Sequence, residues 1–321
     1  TCTMKYNPRL CESLTLNPGF ADIHPDQDPE TVQGMLQIYY DFEKVVKEVS
    51  GLDKFSLQPG GGNHAVYTAA SVVRAYHESR GELAQRNEII TTIFSHPSNP
   101  ACAAVKGFKL ITIYPDENGR PDLEAMKAAV NERTAALFIT NPEDIGIYNS
   151  HIKEFTALVH EVGGLCSYDQ ANANALLGIT RAREAGFDLC FFNIHKTFSS
   201  PHGCGGPGCG VVGVREHLVS YLPAPLVGYD EASERYHLDY KTPSKTTRIK
   251  DFYGVLPAIV RGYSWMMSLG PDWLREVSRI AVLNNNYVFE KIMAMRGVDA
   301  PYAEGEHRME QVRYSLKKLK E

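Results

Sequence analysis

Over residues 56–214, short apolar, β-branched runs alternate with longer segments of helical period, and this order limits the fold more than any other feature of the chain. A strand, a helix and a second parallel strand bury both faces of a sheet, so the strands read as continuous apolar runs. Strands are expected at residues 88–94, 109–114, 135–140, 165–168, 189–192 and 210–214. Helices are expected at 65–80, 123–130 and 152–161, the last followed by Gly163 and Gly164 as stop signals. The pattern predicts an α/β chain with a mainly parallel sheet covered by helices. Residues 221–247, rich in Pro, Tyr and charge, read as an excursion or loop before a helical stretch at about 251–295.

Composition narrows the function. With 22% charged residues and a net charge of −5, nothing directs the 321-residue chain to nucleic acid or an anionic membrane. Seven cysteines, an odd number without framework spacing, read as free thiols of a reducing, cytoplasmic setting. No apolar run approaches the roughly 20 residues that span a bilayer, and no charged-then-apolar leader opens the chain. The chain begins at Thr1 and stops inside a charged, helix-like stretch at 315–321, so both ends read as cut.

Asp169 and Lys196 each follow an apolar run, which puts both at the carboxyl edge of the sheet, where open α/β sheets bind ligands. Alone, such an aspartate is more often a helix cap, and such a lysine is bland. Together, with His195 and Thr197 beside the lysine and a glycine-rich run at 201–208, they suit pyridoxal 5'-phosphate. That cofactor needs a lysine to form a Schiff base and a carboxylate to keep its ring nitrogen protonated. Gly60, Gly61 and Gly62 precede Asn63 and a predicted helix, and so offer N–H groups and a positive dipole end to a phosphate. Three glycines also read simply as a flexible turn. His96, at a strand end, can lie flat on the ring or be a satisfied loop histidine. Asn141 and Asn172 are donors for the ring's phenolic oxygen or plain turn formers.

No metal site is expected. Cys204 and Cys209 are five apart with His202 nearby, but no second cluster completes four ligands. His151 and His160 fall on or beside a predicted surface helix and read as surface residues.

Several longer motifs carry a family resemblance: Cys2-Thr3-Met4-Lys5-Tyr6-Asn7-Pro8, Pro18-Gly19-Phe20-Ala21, His24-Pro25 and Glu30-Thr31-Val32-Gln33-Gly34. The most specific is Asn193-Ile194-His195-Lys196-Thr197-Phe198-Ser199-Ser200-Pro201-His202-Gly203, continuing through Gly205-Gly206-Pro207-Gly208. In these the chain resembles, over nearly its whole length, the glycine decarboxylase P-protein, and in particular the cofactor-bearing second subunit of its two-subunit form. The resemblance implies an aspartate-aminotransferase-type fold (fold type I) with a mainly parallel seven-stranded sheet and a C-terminal small domain largely missing. Residues 1–50 would be an N-terminal arm and helix, 51–250 the cofactor-binding large domain, and 251–321 a helical connection and the start of the small domain.

By the same resemblance Lys196 carries the cofactor, Asp169 pairs with the pyridinium, His96 stacks on the ring and His195 helps hold the phosphate. The family removes carbon dioxide from glycine and passes the aminomethyl group to the lipoyl arm of the H-protein. Its subunits form active sites between chains, so a homodimer or a heterotetramer with a first-type subunit is implied. The chain departs from the family pattern at several positions, four of which bear most on the site: Val66 replaces a carboxylate, Pro97 a glycine, Asp144 a threonine and Gln170 a glycine. They keep open a divergent decarboxylase, oxidase, aminotransferase or aldolase-like enzyme on another small amino acid. A non-catalytic scaffold subunit is a third reading, which Lys196 and Asp169 argue against.

Overall fold

The computed structural model describes residues 8–201, 208–240, 246 and 248–319. The opening motif at 2–7 and the glycine-rich loop at 202–207, with His202 and Cys204, lie outside the described residues.

Helices α1 (Arg9–Thr15), α2 (Pro18–Ala21) and α3 (Gln33–Ser50) precede the sheet. On α3, Met35, Leu36, Tyr39, Phe42 and Val46 are buried at helical spacing, so one face packs on the core. Gly51 ends α3 in the left-handed conformation, with φ 73°. Next come β1 (Lys54–Ser56), α4 (Gly62–Ser79), β2 (Glu88–Thr92), α5 (Ser98–Val105), β3 (Lys109–Ile113), α6 (Leu123–Ala129) and β4 (Thr134–Thr140). They are followed by α7 (Ile152–Glu161), β5 (Leu165–Gln170), β6 (Leu189–Asn193) and β7 (Gly210–Val214).

One seven-stranded sheet runs β1-β7-β6-β5-β4-β2-β3. The strands from β3 to β6 are parallel, whereas β7 is antiparallel to both β6 and β1. All six expected strands form, and β2, β5, β6 and β7 are buried along their whole length, as a sheet with helices on both faces requires. The antiparallel return of β7 means that the segment joining β6 to β7 stays at one edge of the sheet. That segment carries Lys196.

Apolar packing fixes this end of the sheet. Phe55 and Phe192 stack with ring centroids 6.4 Å apart, and Phe198 meets both Phe192 and Phe42 edge-on. Each fully buried aromatic contributes about 2–3 kcal/mol. Gly213 is the gap that admits the Phe55 ring, since a Cβ there would lie 2.2 Å from Phe55 Cζ.

Three local expectations are corrected. Helix α4 begins at Gly62, three residues earlier than its apolar period suggests, because Gly61 O accepts from Ala65 N. Residues 221–247, read as an excursion, contain the hairpin β8 (Leu226–Asp230) and β9 (Arg235–Asp239). The stretch from residue 315 is not an extended helix: Ser315 bridges to Asp299, and Lys317–Leu319 is a single 3-10 turn. Helix α8 (Leu256–Met293) fills the expected helical stretch but kinks at Gly270, with φ 68°, before Pro271.

Candidate active site

Gly61, Gly62, Asn63, His96, His195 and Lys196 all line one cleft of about 740 Å3. Its volume lies within the range of small-molecule sites. Lys196 follows β6 in a turn tied down on both sides. Its N–H donates to Asn193 O at 3.0 Å, and Ile194 N donates to Cys209 O at 2.8 Å. Ser200 Oγ donates to Ala258 O at 2.6 Å, and Phe198 is fully buried. The lysine stem is thus rooted in a rigid turn, while the residue itself is half-buried.

Asp169 is buried in β5 and accepts three hydrogen bonds. Asn99 Nδ2 donates to its Oδ2 at 2.9 Å, Thr140 Oγ1 to the same oxygen at 3.0 Å, and Ala171 N to Oδ1 at 3.0 Å. Three donors satisfy a buried carboxylate and fix its plane. The His96 ring is fixed as well. Ser98 N donates to Nδ1 at 3.1 Å and Ser98 Oγ lies 2.8 Å from the same nitrogen, which assigns the ring proton to Nε2. Thr140 ties the two groups together, for its Oγ1 accepts from His96 N at 3.0 Å and donates to Asp169.

The glycine turn closes the cleft at the start of α4. A Cβ at Gly62 would lie 2.7 Å from Asn193 Nδ2, and one at Gly210 would lie 2.8 Å from Gly61 O, so only glycine lets these backbones meet. His64 braces the turn, accepting from Gly60 N at 3.2 Å through Nδ1 and donating from Nε2 to Ile249 O at 3.0 Å. Burial holds the His64 imidazole below its ordinary pKa, which favours this neutral, two-sided brace. His195 is buried, and its Nδ1 accepts from Cys209 N at 3.0 Å.

Not every expected residue reaches the cleft wall. Asn141 is buried, its Oδ1 accepting from Asn149 N at 2.8 Å while its Nδ2 has no hydrogen-bond partner. Thr197 Oγ1 donates to Asn172 Oδ1 at 3.3 Å and accepts from Ala173 N at 2.8 Å, so this pair joins the turns after β5 and β6. Sequence reasoning missed Asn99, Thr140 and His64, and also residues 311–313, which line the cleft from the far end of the chain. Thr140 emerges only from the β4–β5 register, in which it stands opposite Asp169. Gln311 and Arg313 carry no local signal.

The four departures fall into two kinds. Val66 packs into an apolar cluster, and Pro97 precedes α5 with φ −56°. Asp144 and Gln170 are polar and buried or half-buried near the site. Asp144 lines the cleft, pairs with Arg313 at 3.7 Å, and has its carboxyl pKa pushed up chiefly by burial. Its neighbour Glu143 is pushed up to about 7, again by burial.

His160 is exposed on α7, as expected, but its ring turns inward to a buried acid. Its Nε2 lies 2.7 Å from Asp188 Oδ2, and with Cys166 the three ligand atoms fall within 4.8 Å of one another. Asp188 Oδ2 also accepts from Cys166 N at 2.8 Å, and Arg215 Nε stands 3.8 Å from Oδ1, so its charge is already matched. A second cleft of about 670 Å3, with apolar walls from Val45, Val49, Met266 and Leu274, presents no lysine and no histidine. Among the described residues, no helix is long and apolar enough to cross a membrane.

Residues 61–259 match the model of the aminotransferase class-V family. The chain belongs to that family. Within it, a Pyrococcus abyssi protein described as a probable glycine dehydrogenase (decarboxylating) subunit 2 is 48% identical over 304 residues, covering 95% of this chain and 60% of that protein. One of the same description from Alkaliphilus oremlandii is 46% identical over 292 residues, covering 91% of this chain and 59% of that protein. The resemblance to the second P-protein subunit is therefore borne out, and the chain spans about 60% of the length of these curated relatives.

Among solved structures, a glycine decarboxylase (P-protein) of the glycine cleavage system, in inhibitor-bound form, superposes with a TM-score of 0.77 at 22% identity. It covers 95% of this chain and 69% of its own. A cysteine desulfurase from Thermococcus onnurineus gives 0.64 at 17% identity, covering 96% and 75%. Both share the fold of this chain. Pyridoxal phosphate is the cofactor of such proteins, and the residues here fit it. A glycine turn and a lysine line the same cleft, and Asp169, near the end of β5, accepts two bonds on Oδ2 and one on Oδ1, which leaves an acceptor site for a ring N–H.

Proposed function

We propose that this chain is a pyridoxal-phosphate enzyme acting at the α-carbon of glycine or a small amino acid. Its reaction is the removal of carbon dioxide from glycine, with transfer of the aminomethyl group to a lipoyl carrier. The observation that carries the reading is that Lys196 and the Gly61–Gly62–Asn63 turn open onto one cleft, beside the strand that holds Asp169. The names of the sequence relatives support glycine as the substrate.

When bound, the cofactor supplies an electron sink for charge that develops at the substrate α-carbon. Lys196 tethers it and afterwards carries a proton to or from that carbon. Asp169, oriented by Asn99, Thr140 and Ala171, provides the negative charge that keeps the ring nitrogen cationic. His96, its ring pinned by Ser98, covers one face. The N–H groups at the start of α4, with His195, bind the phosphate, while Asn141, Asn172 and Thr197 brace the turns behind the cleft wall.

Residues 51–250 form the cofactor-binding domain and carry most of this site, to which residues 311–313 add a wall. A first-type subunit and a lipoylated H-protein are the partners, with the chain in a cytoplasmic homodimer or heterotetramer. A second reading, a different α-carbon reaction on another amino acid, is favoured by the Asp144–Arg313 pair at the cleft. Glycine-dependent exchange of labelled bicarbonate, with and without the lipoylated carrier and first-type subunit, separates the two. Exchange that vanishes in Lys196→Ala supports the first reading. A chain that binds the cofactor yet exchanges nothing in any combination supports the second.

A further inference from the structure

The loop that precedes α8 carries a cation to the glycine turn. Ile249 is held from both sides: its N–H donates to Gln58 Oε1 at 3.3 Å, and its carbonyl accepts from His64 Nε2 at 3.0 Å. His64 in turn accepts from Gly60 N, so one imidazole locks the loop to the turn. The next residue, Lys250, thereby places its Nζ 3.8 Å from where a side chain at Gly60 would begin. Lys250 is half-buried, and among the described residues no carboxylate pairs with it. An ammonium group held over a glycine turn, beside the N-terminal end of an 18-residue helix, is arranged to meet an anion.

We propose that Lys250 is a ligand of the cofactor phosphate, supplying the full positive charge that the backbone N–H groups of the turn lack. This rests on the reading of the cleft as a pyridoxal-phosphate site, and it adds a residue 54 positions beyond Lys196, outside every motif of the sequence. His64 acts in the same assembly as a positioning residue, because it touches the Lys250 loop and the turn rather than the anion.

The test compares two probes that differ only in the phosphate. The cofactor-depleted chain is titrated with pyridoxal phosphate and with pyridoxal, followed by absorbance and protein fluorescence. Lys250→Met should weaken pyridoxal phosphate roughly ten- to a hundredfold, the scale of one lost charge-assisted hydrogen bond, and leave pyridoxal unchanged. Lys250→Arg should recover most of the loss, and neither variant should shift the thermal midpoint by more than a few degrees. Equal losses for both probes, or no loss for either, would overturn the assignment while leaving the cofactor site intact. A wild-type chain that binds neither probe would sink the cofactor reading itself, and this inference with it.

Discussion

Thr140 and Asp169 stand directly opposite each other on adjacent parallel strands, and Thr140 Oγ1 donates to Asp169 Oδ2 at 3.0 Å. The same hydroxyl accepts from His96 N at 3.0 Å and Asn99 Nδ2 at 3.3 Å. One side chain thus relays orientation between the loop that carries His96 and the strand that carries Asp169. Thr140→Val keeps the shape and removes the oxygen. It should destabilise the fold by about 1–3 kcal/mol, the cost of stranding buried polar partners, and weaken cofactor retention roughly tenfold. A melt and a pyridoxal phosphate titration check both effects, while Thr140→Ser should come close to wild type.

Glu143 predicts a pH slope. Burial pushes its carboxyl from 4.5 up to about 7, and its Oε2 has no hydrogen-bond partner. Because the folded value is raised, the contribution is full below the unfolded pKa and is lost as pH climbs through about 7. The loss amounts to up to about 3 kcal/mol. Glu143→Gln should remove this slope and gain on wild type at about pH 8, as read by denaturant midpoints across the range.

His64 carries a slope of the opposite sense. Its folded pKa is lowered, so its contribution is present above the ordinary imidazole value and is lost as acid protonates Nδ1 and breaks the bond from Gly60 N. In His64→Gln the acid-side loss of cofactor affinity should be shallower than in wild type. Identical profiles would refute the brace.

Gly213 sits against the face of Phe55, itself stacked on Phe192. Gly213→Ala should therefore cost about 1–3 kcal/mol through overpacking, since the ring has no free space to retreat into. Gly34→Ala, at a helical position with nothing within 4 Å of the added carbon, should be neutral or slightly stabilising in the same melt.

Much of the sheet was legible because a strand buried on both faces leaves a continuous apolar run, as β2 and β6 do. Lys196, Asp169 and His96 were legible because residues that end such runs converge at one edge of an open sheet. Less accessible were the short helix α5 after His96, whose eight residues lack a sustained period, and the hairpin β8–β9, where Pro and charge masked alternation. The antiparallel sense of β7 was also hidden, because strand direction depends on the connection and not on the run itself.

The order of residues determined the layered α/β fold, the lysine and the carboxylate, because burial and strand-end placement act over a few neighbouring positions. Which groups complete the site was decided only in three dimensions. Thr140 meets Asp169 through strand register, Lys250 reaches Gly60 through His64, and Arg313 meets Asp144 from the far end of the chain. Hydrogen bonds and charge pairs act over a few ångströms of space regardless of sequence separation, so their partners are chosen by the packed chain and leave no periodic mark in it.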